Sequence, residues 1–114
     1  MGLKFLLLIA AFSPFGVIAQ SNPPVNGANL HYALCGGKPQ FGSVQYADIG
    51  GGVWGYLDHN FAYGTARIKG RDEWSVYLVD DQGADVQVDL FKKTCTWSKQ
   101  SNTRSYLVMN AGHL

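Results

Sequence analysis

Beyond residue 30, apolar and polar positions alternate with period two, and turn-forming residues interrupt the alternation every eight to twelve positions. The clearest segment runs from Glu73 to Leu90. Trp74, Val76 and Leu78 alternate with Glu73, Ser75 and Tyr77, and Val86, Val88 and Leu90 alternate with Asp85, Gln87 and Asp89. Between the two runs stands Asp80-Asp81-Gln82-Gly83. Aspartate first and glycine fourth suit a type I turn, and the glycine then supplies the left-handed residue of a three-residue hairpin loop. That loop pairs Asp80 with Ala84, and therefore Leu78 with Val86, Val76 with Val88 and Trp74 with Leu90. A loop one residue shorter or longer would set Trp74, Val76 and Leu78 against acids and Gln87. Turn chemistry and apolar pattern thus select the same register.

Other strands follow from the same alternation. Residues 94–98 form one. A tight return at Lys92-Lys93 would place Cys95 beside Leu90 and Trp97 beside Val88. Residues 61–68 form another, returning through Lys69-Gly70-Arg71-Asp72 so that Ile68 faces Trp74. Residues 104–109 form the last, and weaker patterns lie at 30–34, 41–47 and 53–57. No stretch repeats its apolar residues at helical spacing. The expected fold is all-β: a small single-domain antiparallel meander of seven or eight short strands. It must close as a barrel or fold as a sandwich to hide its edges.

The first nineteen residues depart from this pattern. Lys4 is their only charge, Phe5 to Phe12 is an apolar run, Pro14 and Gly16 break it, and Val17 and Ala19 are small. This is the layout of a secretory signal cleaved before Gln20. The apolar run is shorter than the roughly 20 residues that span a bilayer, so no membrane anchor is expected. Residues 20–29 are polar, contain Pro23-Pro24, and read as an extended arm. Residues 30–114 are then the β domain of a secreted, extracellular protein.

Composition adds two constraints. The 114 residues carry nine basic and eight acidic side chains, a formal charge of +1, and loss of Lys4 with the leader brings the balance to zero. Such a chain has no net field to steer a polyanion, so no nucleic-acid partner is expected. Cys35 and Cys95 are the only cysteines. In an oxidising compartment they pair, closing a loop of about 60 residues worth roughly 4 kcal/mol in chain entropy. No N-x-[ST] acceptor for an N-linked glycan is present.

Candidate chemistry concentrates between Asp48 and Asn60. On a strand, Trp54, Tyr56 and Asp58 share one face, with His59 and Asn60 following. Two aromatic plates beside a carboxylate suit a sugar, which offers C–H faces and hydroxyls. The same aromatics would equally serve as core. The reading preferred is a monomeric binding protein for carbohydrate or another cell-surface ligand, with Trp54, Tyr56, Asp58, His59 and Asn60 as contacts. One alternative is an effector or inhibitor acting on an extracellular protein through loops at 69–72 and 99–103. Another is a small hydrolase or RNase using His31, His59, Glu73 and Arg67 or Arg71. Residue types alone assign no catalytic set. Asp80, Asp81, Asp85 and Asp89 lack the spacing of a calcium loop and read as a solvated face. No metal or other cofactor is expected.

Overall fold

The computed structural model describes residues 24–38 and 42–113. The leader expected at residues 1–19 lies outside them. Eight antiparallel strands follow one another around a closed barrel: β1 (Tyr32–Lys38), β2 (Gly42–Gly50), β3 (Val53–Asp58), β4 (Tyr63–Arg71), β5 (Ser75–Asp80), β6 (Asp85–Asp89), β7 (Thr94–Lys99) and β8 (Asn102–Gly112). Each strand pairs with its sequence neighbour, and β8 returns to pair with β1, setting Val108 opposite Cys35. Of the two architectures expected, the barrel is the one formed. Closure pairs every strand on both sides and leaves no sheet edge.

The β5–β6 hairpin has the register its turn demands, with Val76 opposite Val88 and Leu78 opposite Val86. The Gly83 N–H donates to the Asp80 carbonyl at 3.0 Å, and Gly83 takes a φ of 84°. The Asp80 carboxylate tightens the loop by accepting from the N–H groups of Gln82 and Ala84, both at 2.9 Å.

Two other returns differ from expectation. Cys95 lies opposite Val88 and Trp97 opposite Val86, two positions from the register expected of a Lys-Lys turn. The Asp89 carboxylate accepts from the N–H groups of Phe91 and Lys92, and Lys93 takes a φ of 60°. The return is therefore an aspartate-capped loop. A shift of two preserves the face of every side chain, so Cys95 still points inward. At the second return, β4 continues to Arg71. The turn follows at Asp72, whose carboxylate accepts from the N–H groups of Trp74 and Ser75 at 3.0 and 2.7 Å. A bulge between Ile68 and Gly70 absorbs the extra residue, and Ile68 faces Leu78 rather than Trp74. The loops expected at 69–72 and 99–103 are thus largely strand ends; Lys99 pairs with Asn102 across a two-residue turn.

Strand parity fills the interior. Along β2, Val44 and Tyr46 are buried while Gln45 and Ala47 are exposed. Val76, Leu78 and Val88 are fully buried, each contributing about 1.5–3 kcal/mol by leaving water. The Cys35–Cys95 disulfide joins β1 to β7 across the intervening β8, with Cα atoms 6.1 Å apart. A small disulfide-bonded domain of this kind is compatible with an extracellular location. Eight strands leave an interior just wide enough for side chains to fill, and here they fill its middle.

The chain before β1 closes one end. The Asn26 side-chain oxygen accepts from the N–H groups of Ala28 and Asn29 at 2.8 and 3.1 Å, forming a turn that delivers the fully buried Leu30 into the barrel. Arg71 Nη1 donates to the carbonyls of Gly27 and Leu30 at 3.0 and 2.8 Å. The same guanidinium stands 3.7 Å from Asp48 and 5.9 Å from the Trp54 ring centroid. Residues 24–29 are therefore a docked turn where an extended arm was expected. The Gly27 N–H donates to the Glu73 carbonyl at 2.8 Å, a partner that no local sequence pattern reveals.

Candidate functional site

The β3–β4, β5–β6 and β7–β8 connections all lie at the opposite end. That end holds a cavity of about 160 Å³. Its aromatic lining is Tyr46 from β2, Tyr56 from β3, Trp97 from β7 and Tyr106 from β8. Asp58 and Asp80, the last residues of β3 and β5, bring two carboxylates to the same space, and His59, Gln82 and Arg104 add further polar groups. Each comes from an inward-pointing strand position or from the connection that follows it. The site is therefore the upper layer of the barrel interior.

The hydrogen bonds fix this layer. Asp80 is 8% exposed, and its Oδ2 accepts from Trp97 Nε1 at 3.1 Å while its Oδ1 holds the β5–β6 turn. Asp58 Oδ1 accepts from the N–H groups of Asn60 and Ala62, both at 2.9 Å, and so holds the β3–β4 turn. The His59 ring lies against Gly42, at a point where any side chain would collide with it. Arg104 Cζ stands 5.2 Å from the Trp97 ring centroid, a cation–π contact. The Tyr46 and Tyr56 rings are 6.2 Å apart and tilted by 50°.

Electrostatics keep the phenols neutral. Burial pushes the Tyr46 hydroxyl well above its ordinary range, and Tyr106, Asp80 and Tyr56 add to the shift. Tyr56 is raised too, by desolvation first and then by the hydrogen bond it donates to Asp81. Tyr46 is 5% exposed, yet its hydroxyl has no hydrogen-bond partner among the described residues. Buried polar atoms are nearly always partnered, and Tyr46 lines the cavity, so its hydroxyl offers a donor and an acceptor there.

The shared face of Trp54, Tyr56 and Asp58 is real, but it points into the barrel. Trp54 is 1% exposed and lies in the core, so its expected role as a surface contact is corrected. Tyr56, Asp58 and His59 line the cavity, whereas Asn60 is exposed in the turn beside it. Sequence reasoning missed Tyr46, Trp97, Tyr106, Asp80 and Arg104. One signal could have found part of this set: in a meander, alternate turns share an end, so the turn after Asp58 and the turn after Asp80 must be neighbours. Asp80 is accordingly buried, not part of a solvated face. Among the described residues no group of three or more His, Cys, Asp or Glu side chains could hold a metal ion.

The residues proposed for an RNase are not assembled. His31, Arg71 and Glu73 belong to the plugged end, Arg67 is exposed on the wall, and His59 is at the mouth. The fold and the site together define a small antiparallel barrel, closed at one end and carrying an aromatic, acidic pocket at the other. No protein-family model, no curated protein and no solved structure matches the chain.

Proposed function

We propose that this is a secreted binding protein that holds a single polar ring, such as the end residue of a carbohydrate, in its barrel mouth. The observation that carries this reading is the lining of the cavity, which among the described residues includes four aromatic side chains and two carboxylates. Aromatic faces suit the C–H side of a sugar, and carboxylates with neutral phenols suit its hydroxyls. Size supports the assignment. A volume of about 160 Å³ is close to the roughly 150 Å³ cavity that admits a benzene ring. It is well below the ~300–1,000 Å³ of sites that engulf drug-sized ligands. The core residues beneath it leave no room for a long apolar ligand. A glycan array with wild-type protein and the His59→Ala and Gln82→Ala variants tests the reading. The expected result is binding to a defined terminal sugar, weakened about tenfold by either variant. An array without bound glycans, or one unaffected by both variants, removes it.

A protein partner is the second reading, and it rests on a different surface. Trp74 and Phe91 are 42% and 72% exposed at the plugged end, with ring centroids 5.9 Å apart. Exposed paired aromatics are typical anchors of protein interfaces. A partner captured by the wild type but not by Trp74→Ser/Phe91→Ser would support this reading, and identical capture by both would end it.

A further inference from the structure

Resting on the mouth as a ligand site, we infer that its ligand is a small organic cation: an ammonium group, carried on a sugar ring or on a short alkyl chain. The charges of the lining point this way. Among the described lining residues, Asp58 and Asp80 face the same cavity, with the Arg104 guanidinium and the His59 imidazole as the basic groups beside them. An anion would enter a confined space between two carboxylates. A neutral ligand would leave the surplus negative charge uncompensated, and an ammonium would balance it.

The aromatic lining points to the same class. Tyr46, Tyr56, Trp97 and Tyr106 converge on the cavity, and the faces of such rings attract cations. The protein already exploits this attraction, because Arg104 lies over the Trp97 ring. A ligand cation would share the cage with that guanidinium and compete with it.

Acceptor capacity is the third observation. An ammonium donates hydrogen bonds and accepts none, so its site needs oxygen atoms with lone pairs to spare. The turn bonds of Asp58 fall on Oδ1, and Asp80 Oδ2 takes one N–H, from Trp97. An ionised carboxylate accepts about four hydrogen bonds. The buried Tyr46 hydroxyl, with no partner among the described residues, adds another acceptor.

The test titrates the oxidised full chain with glucosamine, ethanolamine and glucose by calorimetry, at low and high salt. Glucosamine or ethanolamine is expected to bind about tenfold tighter than glucose, with the preference shrinking as salt rises. Binding of glucosamine without ethanolamine identifies an amino sugar, and the reverse identifies a short alkylammonium ligand. Asp58→Asn keeps an oxygen for the turn N–H groups but removes the charge. It should weaken ammonium binding about tenfold and leave glucose unchanged. Arg104→Gln removes the cation that lies over the Trp97 ring, so it should tighten ammonium binding. Equal affinity for glucosamine and glucose, insensitive to both substitutions, overturns the cation assignment and leaves the carbohydrate reading standing. Binding of none of the three probes at millimolar concentration overturns both.

Discussion

Tyr56 donates its hydroxyl hydrogen to Asp81 Oδ1 at 2.7 Å, tying β3 to the β5–β6 turn across 25 positions of sequence. This bond is the largest cause holding the Asp81 carboxyl below its ordinary value of 3.8, and the Thr65 N–H adds to it. A carboxyl whose folded value is depressed contributes stability above its unfolded value, and the contribution is lost as pH falls through the folded value. Tyr56→Phe should therefore move the Asp81 titration up toward 3.8 and make the acid loss of stability shallower. A carboxyl-carbon NMR titration reads this directly; an unmoved Asp81 curve would contradict it.

The plugged end carries the same device. Tyr77 donates to Asp72 Oδ2 at 2.6 Å, and that bond leads the causes lowering the Asp72 carboxyl. Tyr77→Phe should shift Asp72 upward in the same titration without moving Asp81. The two ends of the barrel then report separately, and coupled movement of both signals would show that the variant had disturbed the whole fold.

The disulfide should be the largest single covalent contribution to stability. Cys35 and Cys95 close a loop of 60 residues, for which chain entropy predicts about 4 kcal/mol. Both cysteines are buried on the inner wall. Cys35→Ala/Cys95→Ala should lower the urea midpoint by a corresponding amount, a large share of the ~5–15 kcal/mol typical of a domain. Equal midpoints for the oxidised and substituted proteins would show that the closed barrel alone sets stability.

The plug depends on a residue without a side chain. A Cβ on Gly27 would collide with the Asp72 carbonyl oxygen and stand 2.5 and 2.8 Å from the Ser75 nitrogen and oxygen, backbone atoms that cannot swing aside. Gly27→Ala should undock the turn at a cost of about 1–3 kcal/mol. Arg71→Met should do likewise, by stranding the carbonyls of Gly27 and Leu30. The measurement is hydrogen exchange at the Leu30 amide, which donates to the Asn26 carbonyl at 3.0 Å. Faster exchange is expected, with ligand binding at the far mouth retained.

What could be read in advance follows the range of the interaction. The β5–β6 register was legible because four consecutive residues, Asp80 to Gly83, encode it. The β6–β7 register was missed by two because Asp89 caps that return from outside the Lys-Lys pair that looked like the turn. Barrel closure depends on β8 meeting β1, a pairing between distant segments to which no local pattern points. The candidate site was half legible for a related reason. Period two placed Trp54, Tyr56 and Asp58 on one face, but one stripe runs from core to mouth. Only the other strands decide where along it burial ends.

That stripe yields a prediction that separates core from site. The three tryptophans occupy three environments. Trp54 is 1% exposed and sits near Arg71, Trp74 is 42% exposed against Phe91, and half-buried Trp97 lines the mouth. Trp97→Phe would remove the N–H that Asp80 accepts, costing about 1–3 kcal/mol and confusing stability with binding. The cleaner experiment keeps Trp97 and removes the others. Trp54→Phe should cost roughly 2 kcal/mol by leaving a void, and Trp74→Phe should cost little because its ring is partly in water. In the double variant, Trp97 is the one tryptophan left, and with excitation selective for tryptophan a mouth ligand should still change its emission and its quenching by acrylamide. If Trp54 were the contact that the strand pattern first suggested, Trp54→Phe alone would weaken binding. Retained affinity with a surviving Trp97 signal would place the ligand above the core, on the residues that only barrel closure brings together.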